Sequence, residues 1–208
     1  MSKKLDDVVI TSALRTPIGT YKGSLKNLSA DKLGALAIKE AVHKSNLKSE
    51  QIDEVIMGHV LTSGLGQNPA RQASINAGIP VSKPAHIVNQ VCGSGLRSIV
   101  SGFQSIKLEE DMIVVSGGQE NMSRAPHALF YRENKKLDES KLIDTMINDG
   151  LIDSFNHYHM GVTAENVAEK FEISRDEQDN FALNSQKKTQ EAIGKNKFKD
   201  EIIKLQIN

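Results

Sequence analysis

The sequence predicts an α/β fold, a mainly parallel sheet with helices on both faces, and three observations carry that expectation. Short β-branched runs recur through the first 118 residues. Stretches with apolar residues at helical spacing follow them, and the junctions carry glycine, proline or a capping side chain.

The elements follow in order. Residues 7–12 (DVVITS) form a β-branched run that ends at RTPIG, which predicts a first strand and a loop. From Ser29 onward, Leu33, Leu36, Ala37 and Ala41 lie at the spacing of one helix face. Residues 54–62 (EVIMGHVLT) predict a second strand. Asn68-Pro69 before ARQASINAG then supplies a cap, a proline in the first helical turn and a closing glycine. Residues 86–89 (HIVN) predict a short third strand, and Leu96, Ile99, Val100, Phe103 and Ile106 mark the helix after it. Residues 111–116 (DMIVVS) predict a fourth strand, closed by a tight turn at Gly117-Gly118.

After Gly118 the character changes. Residues 119–161 are polar and mixed, with one short helical candidate over 141–147. They gather His127, His157, His159, Met122, Met146 and Met160, and long loops of this kind usually serve a function or an interface. Thr163 and Ser174 read as helix N-caps, Ser174 with Glu177 at capping-box spacing, and the last helix should run to about Gly194. The final EIIKLQIN reads as a strand without a following partner. The expected organisation is an α/β half-domain over residues 1–118 and a partial loop domain over 119–208.

Composition narrows the function. Hydrophobic residues at 38% and charged residues at 25% suit a chain that buries a real core. Lysine plus arginine balance aspartate plus glutamate at 26 each, and no basic block is interleaved with aromatics, which argues against nucleic acid and membrane surfaces. The N-terminal MSKKLDDVVI turns charged again before reaching signal-peptide length, so the expected location is cytoplasmic. Expected partners are small molecules or further copies of the chain. One cysteine makes neither an internal disulfide nor a thiolate zinc site.

That cysteine carries the chemistry. The run NQVCGSGLRS sets Cys92 between a short strand and an apolar-periodic helix, beside Gly93 and Gly95. At a helix N-terminus, free N–H groups and the helix dipole favour the thiolate, which is the attacking species. The glycines let a bulky ligand approach the backbone, and the Cys92 N–H is placed to donate to a developing oxyanion. A thioester suits the site, because thiolate attack exchanges sulfur for sulfur. Local pattern leaves two readings open, an acyl-accepting nucleophile and a buried small hydrophobe. Arg71 and Arg97 read either as phosphate clamps or as structural ion pairs, and ion pairing is preferred.

With RTPIGTYKGSL, GHVLTSGLGQNPARQAS, NQVCGSGLRS, VVSGGQENMSRAPH and YHMGVTAENVAEKF together, the chain resembles the thiolase family over essentially its whole length. The GQNPARQA run favours the biosynthetic branch, which joins two acetyl-CoA to acetoacetyl-CoA and CoA, over the degradative 3-ketoacyl-CoA thiolases. The resemblance implies that Cys92 is acylated and that His159 and Met160 of the YHMG run line the substrate pocket. It implies no cofactor and no metal, since CoA thioesters are substrates. It also implies a homo-oligomer, a tetramer for the full-length enzyme, assembled in part through the loop between His127 and Thr145.

The sequence also departs from the family pattern. Family members are about twice as long, and their second half brings a Gly-His-Pro histidine that activates the nucleophile and a second cysteine that moves protons. Neither occurs in these 208 residues; the one Gly-His pair, Gly58-His59, falls in a predicted strand and precedes Val60. The expectation is an N-terminal portion of a thiolase, inactive alone. The alternatives are a non-catalytic remnant or assembly module and, less favoured, a ketoacyl-synthase-type enzyme.

Overall fold

A computed structural model describes residues 7–132 and 138–206. Its centre is a three-stranded parallel sheet built from β1 (Glu54–Gly58), β2 (Ala85–Val88) and β3 (Val114–Gly118), in the order β2-β1-β3. Val55 pairs with Ala85 and Val115, and Met57 with Ile87 and Gly117, so these positions share one face. Ile56, His86 and Ser116 share the other, as the two-residue period of a strand requires.

Helices α1 (Ala30–Lys44) and α2 (Pro69–Asn76) cover the first face. Ala35, Ile38 and Val42 of α1 and Ala70 and Ala73 of α2 form one apolar cluster with Val55, Met57 and Ile52. Burying a side chain the size of Ile52 or Val55 contributes about 1.5–3 kcal/mol. Asn68 caps α2, accepting from the Arg71 N–H, Pro69 opens the helix, and Gly78 closes the segment with φ +92°. Each of these was legible in the sequence.

The second face receives α3 (Ser94–Lys107), but not by its apolar stripe. Ser94, Ser98 and Gly102 are the residues buried against the sheet, while Leu96 is 70% and Phe103 48% exposed. The reason is close approach. A Cβ on Gly102 would lie 2.6 Å from Ser116 Oγ, and one on Gly58 would lie 2.5 Å from the Gly95 nitrogen. The Ser98 hydroxyl donates to Gly95 O and Gly117 O at 2.7 Å, tying the helix to β3.

Several expected boundaries shift. Residues 7–12 form no strand: Val9 and Ile10 are exposed, and the segment is held instead by Ser12 Oγ donating to Ala41 O and by a Thr11–Ser45 hydroxyl contact. The outer edge of β3 is therefore unpaired among the described residues. A cavity of about 610 Å³ lies between residues 8–16, α1, α3 and β3. The second strand stops at Gly58, leaving His59 just beyond it, and Gly117-Gly118 belong to β3 rather than to a turn. On α1 the buried line runs through Ala35, Ile38 and Val42, and Leu36 is exposed.

Beyond β3, His127–Ala128 (β4) pairs antiparallel with Ile143–Asp144 (β5). The loop proposed for assembly, between His127 and Thr145, lies partly outside the described residues. The helical candidate over 141–147 is displaced to α4 (Thr145–Gly150), because Asp144 caps it by accepting from the Met146 and Ile147 N–H groups. Thr163 is not a cap: α5 (Met160–Lys170) begins earlier, capped by His159. Ser174 and Glu177 form the expected capping box of α6 (Arg175–Gly194). The expected final strand reduces to one bridge between Ile202 and Arg15.

Candidate active site

The C-terminal ends of parallel strands are where α/β proteins bind ligands, and here they are tied together above the ladder. His59 N donates to Val88 O at 3.2 Å and Gln119 N to Gly58 O at 2.9 Å. From Val88 the chain turns through residues 89–93 into α3, with Gly93 as its N-cap residue, so Cys92 stands one residue before the cap. Its side chain is exposed in this chain. The Cys92 N–H has no acceptor among the described residues.

The turn is densely bonded. Gly93 N donates to Gln90 O, Ser94 N to Val91 O, and Val91 N to Asn89 Oδ1. The Ser94 hydroxyl donates to Val91 O at 2.5 Å and accepts from Gln90 N at 2.9 Å. Val91 itself has φ +51°.

His159 and Met160 sit at the start of α5, both with exposed side chains. His159 Nδ1 accepts from Gly161 N at 3.0 Å, so in the neutral ring the hydrogen is on Nε2, which is free to donate outward. Among the described residues no hydrogen bond or ion pair joins these two to Cys92, and none of the three lines the 610 Å³ cavity. The arginines have other roles than those expected. The Arg71 guanidinium donates to Lys83 O and Val81 O, holding the loop before β2, and has no ion pair among the described residues. Arg97 is exposed, with no ion pair among the described residues.

The sequence reading missed the cluster beside the strand ends. His59, 1% exposed, has Nε2 3.3 Å from Glu120 Oε1, without the alignment of a hydrogen bond. Glu120 Oε2 accepts from Val60 N and Leu61 N at 3.0 and 3.2 Å. Burial pushes the Glu120 carboxyl up, but His59 and those two N–H groups outweigh it and hold the group below the usual glutamate value. The signal available was Glu120 two residues after a glycine-rich strand end, a position where a carboxylate meets free N–H groups.

The model of the thiolase N-terminal domain matches residues 8–208. The chain belongs to the thiolase family. Among relatives, the acetyl-CoA acetyltransferase of Paracoccus denitrificans is 51% identical over 199 residues, covering 96% of this chain and 51% of that protein. The cytosolic acetyl-CoA acetyltransferase of Rattus norvegicus is 46% identical over 208 residues, covering 100% of this chain and 52% of that protein. The crystal structure of Acat5 thiolase from Ascaris suum in complex with coenzyme A superposes with a TM-score of 0.90 at 38% identity, covering 96% of this thiolase chain and 52% of that one. The chain thus spans about half the length of the relatives it matches, and the α/β fold is that of a thiolase N-terminal domain.

Proposed function

We propose that this thiolase chain supplies the acyl-accepting part of an acetyl-CoA acetyltransferase active site. The observation that carries the reading is the exposed Cys92 one residue before the N-cap of α3, at the C-terminal edge of a parallel sheet. The names of the relatives and the coenzyme A in the Ascaris complex support the choice of thioester.

In this proposal Cys92 Sγ attacks the thioester carbonyl of acetyl-CoA, the carbon–sulfur bond to CoA breaks, and the acetyl group remains on Sγ as the CoA thiolate leaves. A second acetyl-CoA loses a proton from its methyl carbon, and the carbanion attacks the acetyl-cysteine. Acetoacetyl-CoA forms and Sγ departs as thiolate; the reverse is thiolysis. The Cys92 N–H, which has no acceptor among the described residues, is the donor for the developing oxyanion. His159 Nε2–H and Met160 meet the substrate, a role supported by their exposure and by the fixed tautomer of His159. No cofactor enters the scheme.

The base and the second proton-transfer group are assigned to residues outside these 208. Residues 1–118 act as the nucleophile-bearing half and residues 119–208 as the covering and assembly segment, with tetramer formation and a cytoplasmic setting part of the same reading. The test is acetylation by acetyl-CoA followed by peptide mass mapping. Label on the Cys92 peptide, absent from Cys92→Ser, is the expected result. Label elsewhere, or steady acetoacetyl-CoA synthesis by the purified chain alone, overturns the assignment.

A further inference from the structure

We infer that Ser94 is a positioning residue: its hydroxyl holds Val91 in the left-handed backbone conformation and thereby fixes the turn that presents Cys92. The inference rests on the proposed role of Cys92 only for its functional meaning, since the bonds of the turn do not depend on it.

Val91 carries the strain in the turn. At φ +51° the Cβ of an L residue crowds its own backbone, and a β-branched side chain suffers most; glycine or asparagine is the usual occupant. Such conformations persist only where the surroundings over-determine them, and they gather at functional sites. Side-chain packing does not hold Val91, because it is 51% exposed. Hydrogen bonds remain: beside the backbone bonds from Gly93 N to Gln90 O and from Ser94 N to Val91 O, two more meet at one hydroxyl. Ser94 Oγ accepts from Gln90 N and donates to Val91 O, so a single atom bridges the Asn89–Gln90 and Val91–Cys92 peptide groups that lie on either side of the strained φ. Asn89 Oδ1 closes the other side by accepting from Val91 N.

The clamp has a fixed base. Ser94 is 4% exposed and opens α3 where the helix backbone comes so close to β1 that Gly58 has no room for a Cβ. The hydroxyl therefore transmits the position of the sheet to the turn, and Cys92, between Val91 and Gly93, takes its orientation from it. A serine there for packing alone would need no hydroxyl, and a turn without strain would need no clamp.

Two roles separate in a double-mutant cycle read on Cys92, whose alkylation by iodoacetamide reports one site because the chain has one cysteine. In the Val91 background, Ser94→Ala slows alkylation about two- to fivefold, the scale of losing one helix-terminus interaction. In the Val91→Gly background the same change slows it less than about half as much, since glycine adopts positive φ unaided. Ser94→Thr, which keeps the hydroxyl, restores the rate, and circular dichroism of each variant confirms that the helices persist. Equal slowing in both backgrounds, or none in either, overturns the inference. The functional reading fails separately: absence of acetyl transfer to Cys92 with the Ser94–Val91 coupling intact refutes the nucleophile assignment and leaves the positioning role standing.

Discussion

Helix α3 turns Ser94, Ser98 and Gly102 toward the sheet and leaves Leu96, Ile99, Val100 and Phe103 outside, so its small, partly polar face is buried and its apolar face is exposed. On α1 the relation is the ordinary one, with Ala35, Ile38 and Val42 packed inward. The difference lies in the strands beneath. Under α1 and α2 they present Val55, Met57 and Val115, whose side chains fill the space between the layers; under α3 they present Gly58, against Gly95, and Ser116, against Gly102, and there is no room for a Cβ on Gly58 or on Gly102. Hydrophobicity selects the buried face where there is volume to fill. Where backbones touch, size selects it instead.

Breaking the narrow contact should have the largest effect. Gly102→Leu places a side chain where even a Cβ lies 2.6 Å from Ser116 Oγ and 3.0 Å from Val114 Cγ1, and a loss of about 3 kcal/mol is expected in urea unfolding. Ser98→Ala removes the donor to Gly95 O and Gly117 O without adding volume, and should cost about 1 kcal/mol by the same measurement.

A smaller effect is expected from pH, at the strand ends on which α3 opens. The folded state holds the Glu120 carboxyl below its ordinary 4.5, so it favours the ionised form. That contribution is complete above the ordinary value and is lost as pH falls through the lowered one. The urea midpoint should drop on acidification below about pH 4.5, and drop less steeply in Glu120→Gln. The smallest effect belongs to the outer face: Leu96→Gln, at a position 70% exposed, should change stability by less than about 0.5 kcal/mol, and a loss of several times that would mean the exposed stripe is covered in solution.

The same contrast explains what was legible in the sequence. The caps at Asn68 and Ser174, the proline opening α2, the glycine ending it and the strand 54–58 were all readable, because each depends on residues within a few positions. Cys92 at a helix start was readable for the same reason. The inward face of α3 was not, since it is decided by Gly58 on another strand. Nor was the detachment of residues 7–12, which depends on Ser12 finding Ala41 O, or the early start of α5, where a histidine takes a capping place usually given to serine or threonine. The Glu120–His59 contact and the Ser94 clamp escaped because their partners are brought together by the fold or by a turn whose conformation the residue types do not favour.

The unpaired edge of β3 has a consequence of another kind. A strand edge with no partner among the described residues offers a row of amide donors and acceptors that any extended segment can join, and Val9 and Ile10 stand exposed beside it as an apolar, β-branched candidate from the next molecule. In concentrated solution the chain is therefore its own hazard, because the feature that leaves a cavity in one molecule is a template for aggregation between many.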